Sequence, residues 1–204
     1  HGACCAARCC VRNTRRVAEG RLEEGSRRLE AVLPTLEEAG PSVARAATYA
    51  SLGRLRSLLG QHERAVGVLE QALRLAEKLM LDQILVMALN SKAVVLLFEG
   101  RLLEAQLLLE GAAARARGID ELGWSRAANN LAQVLFNVDS LSEALELNDE
   151  IIAQARQRGD REELVTQLST SIGMLRGLGR WEDALAVLAE VAALPQVSPW
   201  ARSE

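Results

Sequence analysis

Hydrophobic residues recur at helical spacing along most of the chain. Tyr49, Leu52, Leu55 and Leu59 form one such run. Leu85, Leu89, Ala93 and Leu96 form a second, Ala128, Leu131, Leu135 and Val138 a third, and Val165, Leu168, Ile172 and Leu175 a fourth. Intervals of three and four place each set on one side of an α-helix. A further run follows each of them, as in Ala65, Val68, Leu69, Ala72, Leu73 and Ala76, or Ala144, Leu145, Ile151, Ile152 and Ala155. The junctions repeat: Gly60 to Ala65, Gly100 to Ala105, Asp139 to Ala144 and Gly179 to Ala184 align, their first residues 40, 39 and 40 apart. Gly20 to Gly25 is a weaker fifth copy, with Gly25 where the others have Ala. Gly or Asp stops one helix, an acid sits in the first turn of the next, and a small residue follows where two helices touch. Ser140 with Glu143 predicts a capping box. Basic residues close the second helices, Gly118 and Gly159 break the chain, and Asp160 with Glu163 predicts the next cap. A unit of about 40 residues is therefore two antiparallel helices. One pair cannot bury its own faces, so neighbours must stack into a solenoid. The expectation is an all-α chain of ten helices in five antiparallel pairs, the first pair least regular. Residues 1–19 are read as an irregular or incomplete first helix, 20–194 as the repeat domain and 195–204 as a C-terminal tail.

Composition supports helices on helices. Among 204 residues, Ala and Leu supply 32 and 35, and aromatics only 3%, so the core is built from small and branched aliphatic side chains. Prolines occupy 34, 41, 195 and 199 alone, which leaves 42–194 free of them. A net charge of −3 argues against a nucleic-acid partner. The longest apolar stretch, Ile84–Phe98, is interrupted by Asn90, Ser91 and Lys92, so no membrane segment is expected. No secretory signal is legible in the first twenty residues, and the four cysteines sit only at 4, 5, 9 and 10, unlike a secreted disulfide scaffold. These features point to the cytoplasm, and the excess of Arg over Lys to a bacterial source.

The repeated junctions resemble the tetratricopeptide repeat (TPR). That pattern has a small residue midway along the first helix, Gly or Asp at the turn and Ala early in the second helix. Gly53, Ala93 and Ala132 fill the first position, with Ile172 in the fourth copy. The period of 39–40 rather than 34 resembles the long variant of the repeat. The resemblance spans residues 20–194 and implies a right-handed α-solenoid, with the first helices lining a concave groove that holds a protein or peptide segment. It also implies an alternative, the ligand-sensing arm of a bacterial transcriptional or signalling regulator.

Catalytic and metal motifs fail on inspection. No Gly precedes a Lys, so there is no phosphate-cradling P-loop. Gly173, Gly177 and Gly179 follow no strand and read as a turn and packing feature. His62-Glu63 opens like a zinc-protease motif, but Val66 stands where the second His belongs. That leaves His62 as a turn residue expected to face solvent. Cys9 falls 40 residues before Tyr49, at a core position, and packing there is favoured over metal or redox chemistry. The run of Arg8, Arg12, Arg15 and Arg16 reads as a solvated helix face. No enzyme activity, cofactor or metal is expected.

Register within the first helices gives the groove candidates: Asn90, Ser91, Arg126, Asn129, Asn130, Gln133, Phe136, Ser169 and Arg176. Arg54 and Ser57 fall in equivalent positions of an earlier copy. Asn is a poor helix-interior residue, so Asn90 and Asn129 at matching positions call for a reason. Their amides could pair with an extended peptide backbone, or could serve helix packing or a solvated face. The final second helix carries a wide apolar stripe from Ala184 to Leu194, ahead of Pro195, Pro199 and Trp200. Repeat arrays need a polar cap at each end. This stripe is therefore expected to be covered by the tail or by a second copy in a homodimer.

Overall fold

Each within-pair turn is built in one way. Gly60, Gly100, Asp139 and Gly179 all adopt a left-handed backbone, with φ of 72°, 76°, 61° and 72°. Glycine takes this conformation without a Cβ clash, and Asp is among the few other residues that tolerate it. The amide after each of them donates back to a carbonyl five residues earlier: Gln61 to Arg56, Arg101 to Leu96, Ser140 to Leu135 and Arg180 to Leu175, each at 2.9 Å. This bond closes the first helix and releases the chain into the second.

A computed structural model describes the backbone of residues 2–194 and the side chains of residues 20–194. The elements are α1 (Gly2–Glu38), α2 (Val43–Leu58), α3 (His62–Lys78), α4 (Asp82–Phe98), α5 (Leu102–Ala116), α6 (Glu121–Asn137), α7 (Leu141–Arg158), α8 (Arg161–Gly177) and α9 (Trp181–Ala193). Among the described residues the fold is all-α, as the periodicity predicts, with nine helices rather than ten. The turn expected after Gly20 does not form. Gly20 keeps a helical φ, and the good helix formers after it carry α1 straight through. Glu24, paired with Arg27 and Arg28 at 2.7 Å, adds support one turn apart.

The chain divides into two compact units, one up to Ala127 and one from Ala128. In the first, α1 packs on α2, α2 on α3, α3 on α4 and α4 on α5, while the first helices α2 and α4 also touch each other. Its core joins Tyr49, Ala50, Ala65, Leu69, Ala72, Ala88 and Val95. The Tyr49 hydroxyl donates to Glu37, tying α2 to α1. In the second unit α8 packs on both α7 and α9. The alanines after each turn, Ala65, Ala105, Ala144 and Ala184, are buried as the repeat requires.

Caps follow the sequence in part. Asp160 accepts from the Glu163 amide at 3.0 Å, as expected, and Ser42 caps α2 in the same way. Ser140 does not cap α7. Its φ and ψ of −81° and 56° match those of Gln61, Arg101 and Arg180 at the same place, and none of the four side chains reaches the helix amides. The turn geometry overrides the capping signal. Among the described residues no helix is long and apolar enough to cross a membrane.

Candidate functional site

In the first unit, α2, α4 and the start of α6 enclose a cleft of about 250 Å³. All three are first helices of their pairs. Ile84, Val86 and Met87 from α4 give it an apolar side. Asn90 and Ser91, one turn further along α4, add polar groups. Arg54 from α2 and Arg126 from α6 bring two guanidinium groups to the same space. Partial withdrawal from water, and then the like charge of Arg126, holds the Arg54 guanidinium below its ordinary value. No carboxylate among the described residues lies within ion-pair distance of either arginine. Asp120 also borders the cleft, but one of its oxygens accepts from the Gly123 amide at 2.9 Å and caps α6. Gly123 must be small here. A Cβ would stand 2.3 Å from Asp120 Oδ2 and 3.1 Å from Val86 Cγ1.

The structure places the groove candidates in several settings. Asn90, Ser91 and Arg126 come together in this cleft. Ser91 is buried and its hydroxyl donates to the Met87 carbonyl at 2.8 Å. Asn129 belongs to the second unit, where its side-chain oxygen accepts from Gln167 Nε2 at 2.9 Å. The same Gln167 amide reaches Glu163, and the Gln167 carbonyl accepts from the fully buried Asn148. Asn129 is thus engaged in a polar network between helices. Asn130 is half-buried, whereas Gln133 and Phe136 are exposed on α6. Ser169 is exposed and donates to Val165 of its own helix, and Arg176 lies over the Trp181 ring at 6.0 Å.

Arg54 occupied the right register in the sequence, but nothing in the sequence distinguished it from other solvated arginines. Gln83, Met87 and Asp120 carried no functional signal at all. Their place in the cleft rests on three helices converging, which spacing along one helix cannot show.

A recess of about 270 Å³ in the second unit has a different character. Its charges pair among themselves, Arg156 with Glu190 and Arg180 with Asp183, each at 2.7 Å. Asp149 beside them is pushed up by loss of water, a shift that Arg180 and Arg156 oppose. The apolar stripe of α9 is open at Trp181, Leu185 and Leu188. The tail expected to cover it, with Pro195, Pro199 and Trp200, lies outside the described residues, as do the side chains of Cys4, Cys5, Cys9 and Cys10 and the arginine run 8–16. His62, expected in solvent, is half-buried and leans on Phe98 with ring centroids 5.4 Å apart.

Residues 16–78 match the family model described as Tetratricopeptide repeat. No curated protein matches the chain. The fold is similar to that of a Podosopora anserina kinesin light chain-type protein with nearly identical TPR-like repeats, at a TM-score of 0.70 and 21% identity over 88% of this chain and 89% of that one. It is also similar to BtubC (BKLC) from P. vanneervenii, at a TM-score of 0.75 and 16% identity over 93% and 80% of the two chains. Rap protein, solved in complex with Competence and Sporulation Factor, gives a TM-score of 0.58 and 16% identity, over 84% of this chain and 57% of its own.

Proposed function

We propose that this chain, TPR-like in its repeats and its fold, is a non-catalytic interaction module that holds an extended, carboxylate-bearing peptide segment against α2, α4 and α6. The observation that carries this reading is the pair of arginines, Arg54 and Arg126, brought to one cleft without a carboxylate partner among the described residues. Two like charges brought to one small cleft repel each other, and an anion between them removes that repulsion while accepting charge-assisted hydrogen bonds. Carboxylates suit guanidinium forks, and the apolar side chains of Ile84 and Met87 can take a neighbouring aliphatic group of the same peptide. Asn90 and Gln83 line the same cleft, and their amides are the groups we assign to the peptide backbone. Asn129, Asn130, Gln133, Phe136, Ser169 and Arg176, all in the second unit, are kept as separate candidates for peptide contact there. A cytoplasmic setting, and self-association through the exposed Trp181, Leu185 and Leu188 of α9, belong to the same reading, and light scattering decides the latter. The Rap complex supports the sensing alternative, in which the bound segment acts as a signal.

The test is selection of a displayed random-peptide library on the protein, followed by titration of the recovered peptides. Recovered sequences should carry Asp, Glu or a free C-terminal carboxylate. Arg54→Gln with Arg126→Gln should weaken them by roughly tenfold or more, as expected for loss of charged hydrogen bonds. Peptides without acidic groups that bind the double variant equally well would remove the basis for this function.

A further inference from the structure

A second recess in the first unit, about 430 Å³, shares no residue with the arginine cleft. It lies where α1, the α2–α3 turn and the end of α4 meet, and its lining includes Glu23, Ser57, Leu58, Leu59, His62 and Phe98. Two polar atoms in it are buried without a partner, Ser57 Oγ and His62 Nδ1. Three helical serines bond to their own helix: Ser91 donates to Met87, Ser169 to Val165 and Ser171 to Leu168. Ser57, only 4% exposed, does not. Leaving a buried polar atom unpaired is unfavourable, so two of them in one recess point to a group that fills it.

The polar features of the recess share one sense. Glu23 contributes a carboxylate with no ion pair among the described residues, and Ser57 Oγ offers lone pairs. His62 Nδ1 accepts when the ring proton sits on Nε2. Phe98, 72% exposed beside the His62 ring, presents an aromatic face. The C-terminal ends of α2 and α4 also finish here and favour a cation, while the start of α3 opposes it. Leu58 and Leu59 supply an apolar bed for an alkyl stem.

We propose that this recess binds a guanidinium, as the arginine side chain of a protein partner. The planar group stacks on Phe98 while its edge donates to Glu23, Ser57 Oγ and His62 Nδ1. An ammonium lacks both the stacking face and the fork of donors, so lysine is the poorer ligand. The site is independent of the peptide cleft and does not rest on that reading.

The test uses the whole chain and three blocked tripeptides, acetyl-Gly-X-Gly-amide with X as arginine, lysine or citrulline. Binding is followed on the His62 imidazole resonances by NMR, with His62→Gln assigning them against His1. The arginine peptide should give saturable shifts, the lysine peptide roughly tenfold weaker binding, and citrulline none. Glu23→Gln, Ser57→Ala and Phe98→Ala should each weaken the arginine peptide without lowering the melting temperature, whereas Arg54→Gln with Arg126→Gln should leave it intact. Equal binding of arginine and citrulline peptides, or no His62 shift with any of them, overturns the proposal. Tighter binding of free L-arginine than of the tripeptide overturns the assignment to a protein partner.

Discussion

Gly53 sits midway along α2, where a helix-interior glycine would ordinarily gain about 1 kcal/mol on replacement by alanine. The packing reverses that expectation. A Cβ at Gly53 would lie 2.4 Å from Leu69 Cγ, 2.5 Å from Leu69 Cδ2 and 3.3 Å from Val68 Cγ2. Carbon atoms in contact normally stand about 3.5–4.0 Å apart, so Leu69 would have to move by more than an ångström. It has nowhere to go, being fully buried among Tyr49, Ala65, Ala72, Ala88 and Val95. Overpacking of this kind costs roughly 1–3 kcal/mol, which leaves Gly53→Ala a net loss of about 0–2 kcal/mol after the helix gain. Coupling gives the sharper signature. Leu69→Ala alone should cost roughly 2–5 kcal/mol, but it removes the atoms that the new Cβ would strike. Gly53→Ala should therefore stabilise the Leu69→Ala background, with a coupling energy of about 1–3 kcal/mol. Urea unfolding can be read from Trp124, buried in the same unit, with Trp181 and Trp200 replaced by Phe. A stabilising Gly53→Ala in the otherwise native chain, additive with Leu69→Ala, would refute the close approach of α2 and α3.

Other substitutions probe the remaining structure. Ala105→Leu and Ala144→Leu replace fully buried turn-following residues, one in each unit, and should each lose roughly 1–3 kcal/mol by overpacking in thermal or chemical melts. Asp160→Ala should cost about 1 kcal/mol through loss of its cap bond, whereas Ser140→Ala, which loses none, should melt like the parent. The hydrogen bond from Arg56 holds Glu30 below its ordinary value of 4.5, against the opposing effect of burial. A carboxylate with a lower pKa in the folded state adds stability above its unfolded pKa and loses it as pH falls through the folded one. Glu30→Gln should thus lower stability at neutral pH by under about 1 kcal/mol, and the difference should close in melts below about pH 4. Asn129→Ala should cost around 1 kcal/mol, since Gln167 loses one acceptor but keeps Glu163.

The sequence made the repeat legible because the turn demands specific backbone chemistry. A left-handed residue every 39–40 positions leaves a mark, and Gly60, Gly100, Asp139 and Gly179 carry it. Where the same conformation falls on an unmarked residue, as at Met80 with φ of 55°, pattern reading has nothing to detect. Gly20 shows the converse, a marked residue whose neighbours favour helix continuation. The groove candidates were partly legible. Register put Asn90, Ser91 and Arg126 on first helices, and they share a cleft. The same logic could not foresee that Asn129 would meet Gln167 from α8, a contact 38 residues away. Nor could it reveal the unpartnered Ser57 and His62, since the absence of a hydrogen bond leaves no trace in a sequence.

Mapping of a selected acidic peptide onto the protein by backbone amide chemical shifts tests the central claim most directly. Saturating peptide should shift amides of α2, α4 and the start of α6, centred on Arg54, Gln83, Asn90 and Arg126, and these shifts should vanish in the Arg54→Gln, Arg126→Gln variant. Shifts confined to the second helices α3 and α5, or to the exposed face of α9, with the cleft residues unmoved, would contradict it.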